Sequence, residues 1–226
     1  AIIAAFVPKD KAAPEPSTLR DDLAVLGRRS VLVGLLTTVL SWVGVFGVFT
    51  YIAPILTKLT GFSDAAVSPI LLVFGAGLVG GNLLGGKLAD KWLIPSLFGT
   101  LFLLAVVLVL MTFATHNQVA MVVFVGLLGA AGFATVPPLQ MWVLEKAFGA
   151  GQSLASSFNI AAFNLGNAIG AGLGGVVIDH GPGLGAIPWI AGLVPLAALL
   201  LAVVNQRLDM RQARLVPAAA CAEAAE

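Results

Sequence analysis

Charge is scarce in this chain. Only 10% of its 226 residues are Asp, Glu, Lys or Arg, while 59% are hydrophobic. A soluble domain usually carries about 25% charged residues and uses them to cover its surface. With so few, most of this surface must meet lipid instead of water. The net charge of +1 leaves no basic field for a nucleic-acid partner. Cysteine is nearly absent too: Cys221 stands alone in an Ala-rich tail, which excludes an intrachain disulfide and a cysteine-built zinc site. The two histidines, His116 and His180, fall in short polar segments far apart in sequence and read as solvated loop residues.

What is abundant is long apolar runs. About 20 apolar residues in a helix cross the hydrocarbon core, and six stretches qualify: 31–56, 66–86, 96–114, 119–143, 153–178 and 185–205. None contains Asp, Glu, Lys or Arg. Because an ionisable group at membrane depth marks an ion or proton path, no obvious relay is expected in these spans. The fold class expected is all-α integral membrane with six transmembrane helices. Short segments punctuate the spans, among them Lys87 to Pro95 and Asp179 to Gly183. Residues 1–7 are apolar but too short to span, and read as the end of a preceding helix. Residues 8–30 hold three prolines and nine charged residues and read as a polar linker with a short helical piece near Leu19 to Leu26. Residues 206–226 read as a tail.

Strict alternation of the spans places Lys9, Lys11, Arg20, Arg28, Arg29, Lys87, Lys91, Lys146, Arg207, Arg211 and Arg214 on one side of the bilayer, with Lys58 alone on the other. Basic residues stay cytoplasmic, so both chain ends are expected there, and a missed span would have mixed the two sets.

Small residues recur at four-residue spacing. Gly77, Gly81 and Gly85 lie along the second span, and Gly166, Gly170 and Gly174 along the fifth. Each strip lets another helix backbone approach closely, either as plain packing or as a seam along which helices slide. Pro137 and Pro138 in the fourth span remove backbone donors and should bend it, a break tolerated beside a cavity. Polar residues inside spans need partners. Thr37, Ser41 and Tyr51 share a face of the first span with Gly44 and Val48. Ser156, Asn159, Phe163 and Asn167 share a face of the fifth, with Asn164 to the side. Asn82 lies on the second span and Gln140 follows the double proline. Helix–helix hydrogen bonding accounts for such residues, and so does a polar-lined cavity, for which Trp42, Phe46 and Phe163 supply apolar walls. Trp92, Trp142 and Trp189 lie near span ends and read as interfacial anchors.

The segment Gly85 to Trp92 reads GGKLADKW and resembles the loop signature of the major facilitator superfamily through Gly86, Leu88, Ala89, Asp90 and Lys91. Leu93 and Ile94 replace its usual Gly and further basic residues. TVPPLQM at Thr135 to Met141 and SLASSFNIAAFNLGNAIGAGLGG at Ser153 to Gly175 are similar to the arabinose and drug efflux permeases of the drug:proton antiporter branch. The Gly-Pro expected in a fifth helix of such antiporters is absent, since Gly170, Gly174 and Gly175 are not followed by proline.

The resemblance implies the C-terminal six helices of a twelve-helix transporter, built as two three-helix inverted repeats, with residues 8–30 joining the halves. It implies that the first, second, fourth and fifth spans line a cavity, and that Asp90 gates it. A carboxylate is stabilised at a helix N-terminus, so Asp90 is expected to latch onto the start of the fifth span. It further implies proton-coupled efflux of a small sugar-like or drug-like molecule by alternating access in a bacterial inner membrane. The proton gradient would be the energy source, the titratable carboxylate would lie in an N-terminal six-helix half, and no cofactor or metal is expected. Two other readings stand beside it. A self-contained six-helix channel or carrier working as a homodimer is one. An intramembrane protease is the other, which needs a nucleophile and base at membrane depth, whereas both histidines sit in loops.

Overall fold

The computed structural model describes residues 27–148 and 151–223, with side chains described as far as Met210. The expected preceding helix end at 1–7 and the linker up to residue 26 lie outside these residues, as do the side chains of Arg211, Arg214 and Cys221. Every described element is helical: α1 (Arg29–Phe49), α2 (Asp64–Lys91), α3 (Leu93–Ala114), α4 (Gln118–Ala134), α5 (Val136–Lys146), α6 (Gln152–Asp179) and α7 (Ile187–Glu223). Helix is the form that satisfies each backbone N–H and C=O inside a segment surrounded by lipid. Taken with α4 and α5 as one unit, six helices are long and apolar enough to cross a membrane.

Several boundaries differ from the sequence expectation, each for a backbone reason. The segment from Lys87 to Pro95 is not a loop: α2 runs to Lys91, α3 begins at Leu93, and Trp92 alone links them, in a non-helical conformation (φ −148°, ψ 78°). Pro95 fits inside α3 because it falls in the first turn, where N–H groups have no intrahelical acceptor anyway. The first span is not one helix. It stops at Phe49, and a short turn Ile52–Pro54 and a π-turn Ile55–Leu59 carry the chain on. Pro54 has no N–H to offer the carbonyl four residues back, so the helix breaks just before it. The fourth span divides at Thr135, with Pro137 and Pro138 in the first turn of α5. The Thr135 hydroxyl donates to Gly132 O at 2.6 Å, supplying a partner near carbonyls the prolines leave without one. Asn117 caps α4, its side chain accepting from Ala120 N at 2.9 Å. The last helix continues beyond residue 205, where a tail was expected, as far as Glu223.

The glycine strips decide the packing. A Cβ on Gly77, Gly81 or Gly85 would collide with the backbone of Gly126, Ala130 or Ala134 on α4. A Cβ on Gly166 or Gly170 would meet the backbone around Val39 and Val43 on α1, and one on Gly174 would strike the Tyr51 ring. The second and fourth spans, and likewise the first and fifth, are therefore pressed backbone to backbone. The next most extensive contacts are α3 with α4 and α7, and α7 with α1. Exchanging the first three spans for the last three maps this pattern onto itself, and the two glycine triplets correspond at a constant sequence offset. The packing thus has the symmetry of two three-helix repeats.

The largest apolar core joins Val45, Val48, Leu104, Leu108, Met111, Leu128 and Ile187. A second gathers Leu97, Leu101, Leu139 and Trp142 against Ala198 and Ala202. Trp142 is 0% exposed, so it is a core residue and not the interfacial anchor expected from its position. Trp92 and Trp189 are exposed, as anchors would be. Helix α1 is the most deeply embedded span, and α2 and α6 are the least.

Candidate functional site

The embedded α1 presents two kinds of side chain to its neighbours. One strip, Thr38, Trp42, Phe46 and Phe49, follows helical spacing and faces α2, α4 and α6. Trp42 lies at the centre of an aromatic group. Its ring stacks with Phe46 at a centroid distance of 5.4 Å and meets Phe133 and Phe163 edge-on at 5.2 and 4.9 Å. Phe49 extends the group, stacking on Phe74 of α2 at 4.6 Å. Such pairs add roughly 0.5–1.5 kcal/mol each beyond the area they bury. Four spans thus converge on one aromatic wall: α1, α2, the end of α4, and α6.

One turn away from Trp42 lies a chain of hydrogen bonds. Thr38 Oγ1 donates to Asn159 Oδ1 at 2.8 Å, with Gly34 O as a second acceptor at 3.2 Å. Asn159 Nδ2 donates to Gln140 Oε1 at 2.6 Å, and Gln140 Nε2 donates to Ser156 Oγ at 2.7 Å. Asn159 is fully buried, so its amide would carry a heavy desolvation cost without these partners. The network ties α1, α5 and α6 together just beyond the Thr135 break.

On α1 and α6, the helices that carry Trp42 and Phe163, three buried polar atoms have no hydrogen-bond partner among the described residues: Ser41 Oγ, Trp42 Nε1 and Asn167 Oδ1. Buried polar groups are nearly always paired. Two donors and an acceptor are thus left without partners on the helices that carry the aromatic wall.

The other residues expected at a cavity are placed elsewhere. Thr37 is buried but donates to Val33 O of its own helix at 2.8 Å. Tyr51 Oη donates to Ala171 O at 2.8 Å, pinning the break after α1 to the Gly174 notch of α6. Asn164 is exposed and donates to Ile160 O of its own helix at 2.9 Å. Asn82 is exposed on α2 and does not join the network. Sequence reasoning passed over Thr38, Phe133 and Phe74. The signal for Thr38 was available, since it lies four residues before Trp42. Phe133 and Phe74 could be found only from tertiary packing.

The loop-signature residues occupy the end of α2. Asp90 is exposed, and among the described residues it makes no hydrogen bond or ion pair. Lys91 Nζ lies 4.2 Å from the centroid of the Trp92 ring, a cation–π contact. A Cβ on Gly86 would meet nothing. His116 and His180 are exposed beyond helix ends.

The same sequence features recur in known proteins. The chain matches the family model of the Major Facilitator Superfamily over residues 1–152 and 34–219. It is 43% identical over 201 residues to the inner membrane transport protein YdhP of Escherichia coli strain K12, covering 89% of this chain and 51% of that protein. It is 33% identical over 192 residues to a chloramphenicol resistance protein of Streptomyces lividans, covering 84% and 48%. To the putative transporter AraJ of Escherichia coli strain K12 it is 30% identical over 175 residues, covering 77% and 44%. The chain spans about half the length of these relatives. A bundle of six apolar spans, packed with the symmetry of two three-helix repeats, is half of the fold those relatives share, and the chain belongs to the major facilitator superfamily of membrane transporters.

Proposed function

We propose that this chain is the C-terminal half of a secondary transporter that exports a small, uncharged, partly aromatic molecule by alternating access, driven by the proton gradient across a bacterial inner membrane. The observation that carries the reading is the Trp42–Phe46–Phe133–Phe163 wall together with the unpartnered polar atoms of Ser41, Trp42 and Asn167 on two of the helices that build it. A relative named for chloramphenicol resistance and another named as an inner membrane transport protein support a drug-like cargo and that location. The apolar stretches of the spans carry no Asp, Glu, Lys or Arg, so the proton-carrying carboxylate belongs to an N-terminal half. The weakly covered flank of α2 and α6, with Asn82 and Asn164 exposed on it, is suited to face that half. Asp90 serves as the cytoplasmic latch: it engages the start of α6 in the state closed to the cytoplasm and disengages on opening. Both chain ends face the cytoplasm, in keeping with the concentration of basic residues at one end of the bundle.

The test is a drug-accumulation panel in cells expressing the full reading frame, with and without a protonophore. The expected result is reduced accumulation of at least one uncharged aromatic compound, abolished by the protonophore and by Trp42→Ala in protein still present in the membrane. Export that survives the protonophore would overturn proton coupling. Export that survives Trp42→Ala would overturn the placement of the site.

A further inference from the structure

A second site lies at the opposite end of α1 from the Tyr51 break. A cavity of about 320 Å³ opens among Arg28, Arg29, Ser30, Asn205, Leu208 and Asp209, where the start of α1 meets α7. Asp209 does not compensate the two arginines, because it is already engaged. Its Oδ2 accepts from Lys146 Nζ at 2.7 Å and from Asn205 Nδ2 at 3.3 Å. Among the described residues, Lys146 and Asp209 cancel each other, which leaves Arg28 and Arg29 as a surplus of two positive charges around the cavity. Arg28 is also held in place, its Nη1 donating to Phe148 O at 2.9 Å. Leu208 supplies an apolar wall on the helix that continues into the membrane.

We propose that this cavity binds the phosphate of an anionic phospholipid headgroup. Arg28 and Arg29 hold the phosphate oxygens, and Leu208 lies against the glycerol end of the acyl chains. The chemistry favours this occupant on three counts. Arginine pairs with phosphate through charge-assisted, often bidentate hydrogen bonds. The cavity sits where α1 begins its crossing, at headgroup depth, and basic pockets between transmembrane helices on the cytoplasmic side take such headgroups. The volume accommodates a phosphodiester with its glycerol. The occupied site would cross-link α1 to α7 and add to the Lys146–Asp209 tie between α5 and α7. Lipid composition would thereby act on the arm that carries Gln140. None of this depends on what the transporter exports.

The experiment uses the protein from its full reading frame, purified in neutral detergent and titrated with phosphatidylglycerol, with bound lipid counted by native mass spectrometry. Phosphatidylcholine is the zwitterionic control. The double variant Arg28→Gln/Arg29→Gln should hold phosphatidylglycerol at least fivefold more weakly than the wild type, and Arg28→Lys/Arg29→Lys should recover part of that loss. Lys58→Gln, at the other end of the bundle, should leave it unchanged. Asp209→Asn should bind several-fold more tightly, because it removes a carboxylate that lines the cavity and releases Lys146; a gain in binding is not a symptom of misfolding. Equal retention by the Arg28→Gln/Arg29→Gln variant, or weaker binding by Asp209→Asn, would overturn the proposal. Displacement of the lipid by millimolar inorganic phosphate would overturn the lipid assignment in favour of a free anion.

Discussion

Asn159 and Gln140 are joined by a 2.6 Å hydrogen bond that couples α6 to the arm beyond the proline break. Thr38 secures the other side of the Asn159 amide. The buried amide is therefore shared between α1 and α5, and its replacement is felt in both. Interhelical hydrogen bonds in membranes are worth about 0.6 kcal/mol on average and up to about 1.7. A double-mutant cycle of Thr38→Val and Asn159→Ala, read by thermal unfolding in detergent, should give a coupling energy in the upper part of that range. The reason is that Thr38→Val leaves the buried Asn159 Oδ1 without its partner.

The two glycine seams predict a sharp contrast between neighbouring glycines. Gly81→Val should abolish accumulation in the membrane, because its Cβ would have to occupy the space of the Ala130 backbone, and a backbone cannot step aside as a side chain can. Gly80→Ala should be tolerated, since nothing lies within reach of the added methyl. Immunoblotting of membrane fractions separates the two outcomes.

At the aromatic wall, Trp42→Phe keeps an aromatic ring and removes the indole N–H. Stability should fall by about 1 kcal/mol or less, while export of the cargo drops several-fold. Equal loss of both, followed by thermal unfolding beside an accumulation assay, would mean that Trp42 only packs.

The exposed Asp90 predicts a cleaner split in the same direction. Asp90→Asn should leave thermal stability within about 0.5 kcal/mol, as exposed substitutions do, while slowing export several-fold. It should also raise labelling of a cysteine at Ser153 from the cytoplasmic side. Unchanged labelling and unchanged export would remove the latch.

The number of spans was legible in the sequence because lipid imposes it: twenty apolar residues without a charge have few alternatives. The glycine strips were legible for the same reason, since the spacing of Gly77, Gly81 and Gly85 leaves one side of a helix bare whatever it meets. What they meet was not legible, because the partner backbone at Ala130 or Val43 carries no comparable mark. The break at Thr135 followed from Pro137 and Pro138, whereas the short link at Trp92 did not, since a polar run such as KLADKW can close a helix or continue it. Trp142 shows the limit of reading depth from position. It lies near a span end, yet the neighbouring α3 and α7 cover it. Among the cavity candidates, Trp42, Asn159, Gln140 and Phe163 came together because their faces converge. Asn82 and Asn164 lie on helix sides that periodicity alone could not assign.

The break at Thr135 also has a mechanical consequence. The eleven residues of α5 form a rigid rod about 16 Å long, at 1.5 Å per residue. A tilt of about 10° at its upper joint swings the far tip by about 3 Å. Lys146 rides at that tip, 2.7 Å from Asp209, so a displacement of this size is enough to pull the ions apart. Small rotations among the membrane-embedded side chains around Gln140 would thus be magnified into the making or breaking of a charge contact at the water boundary.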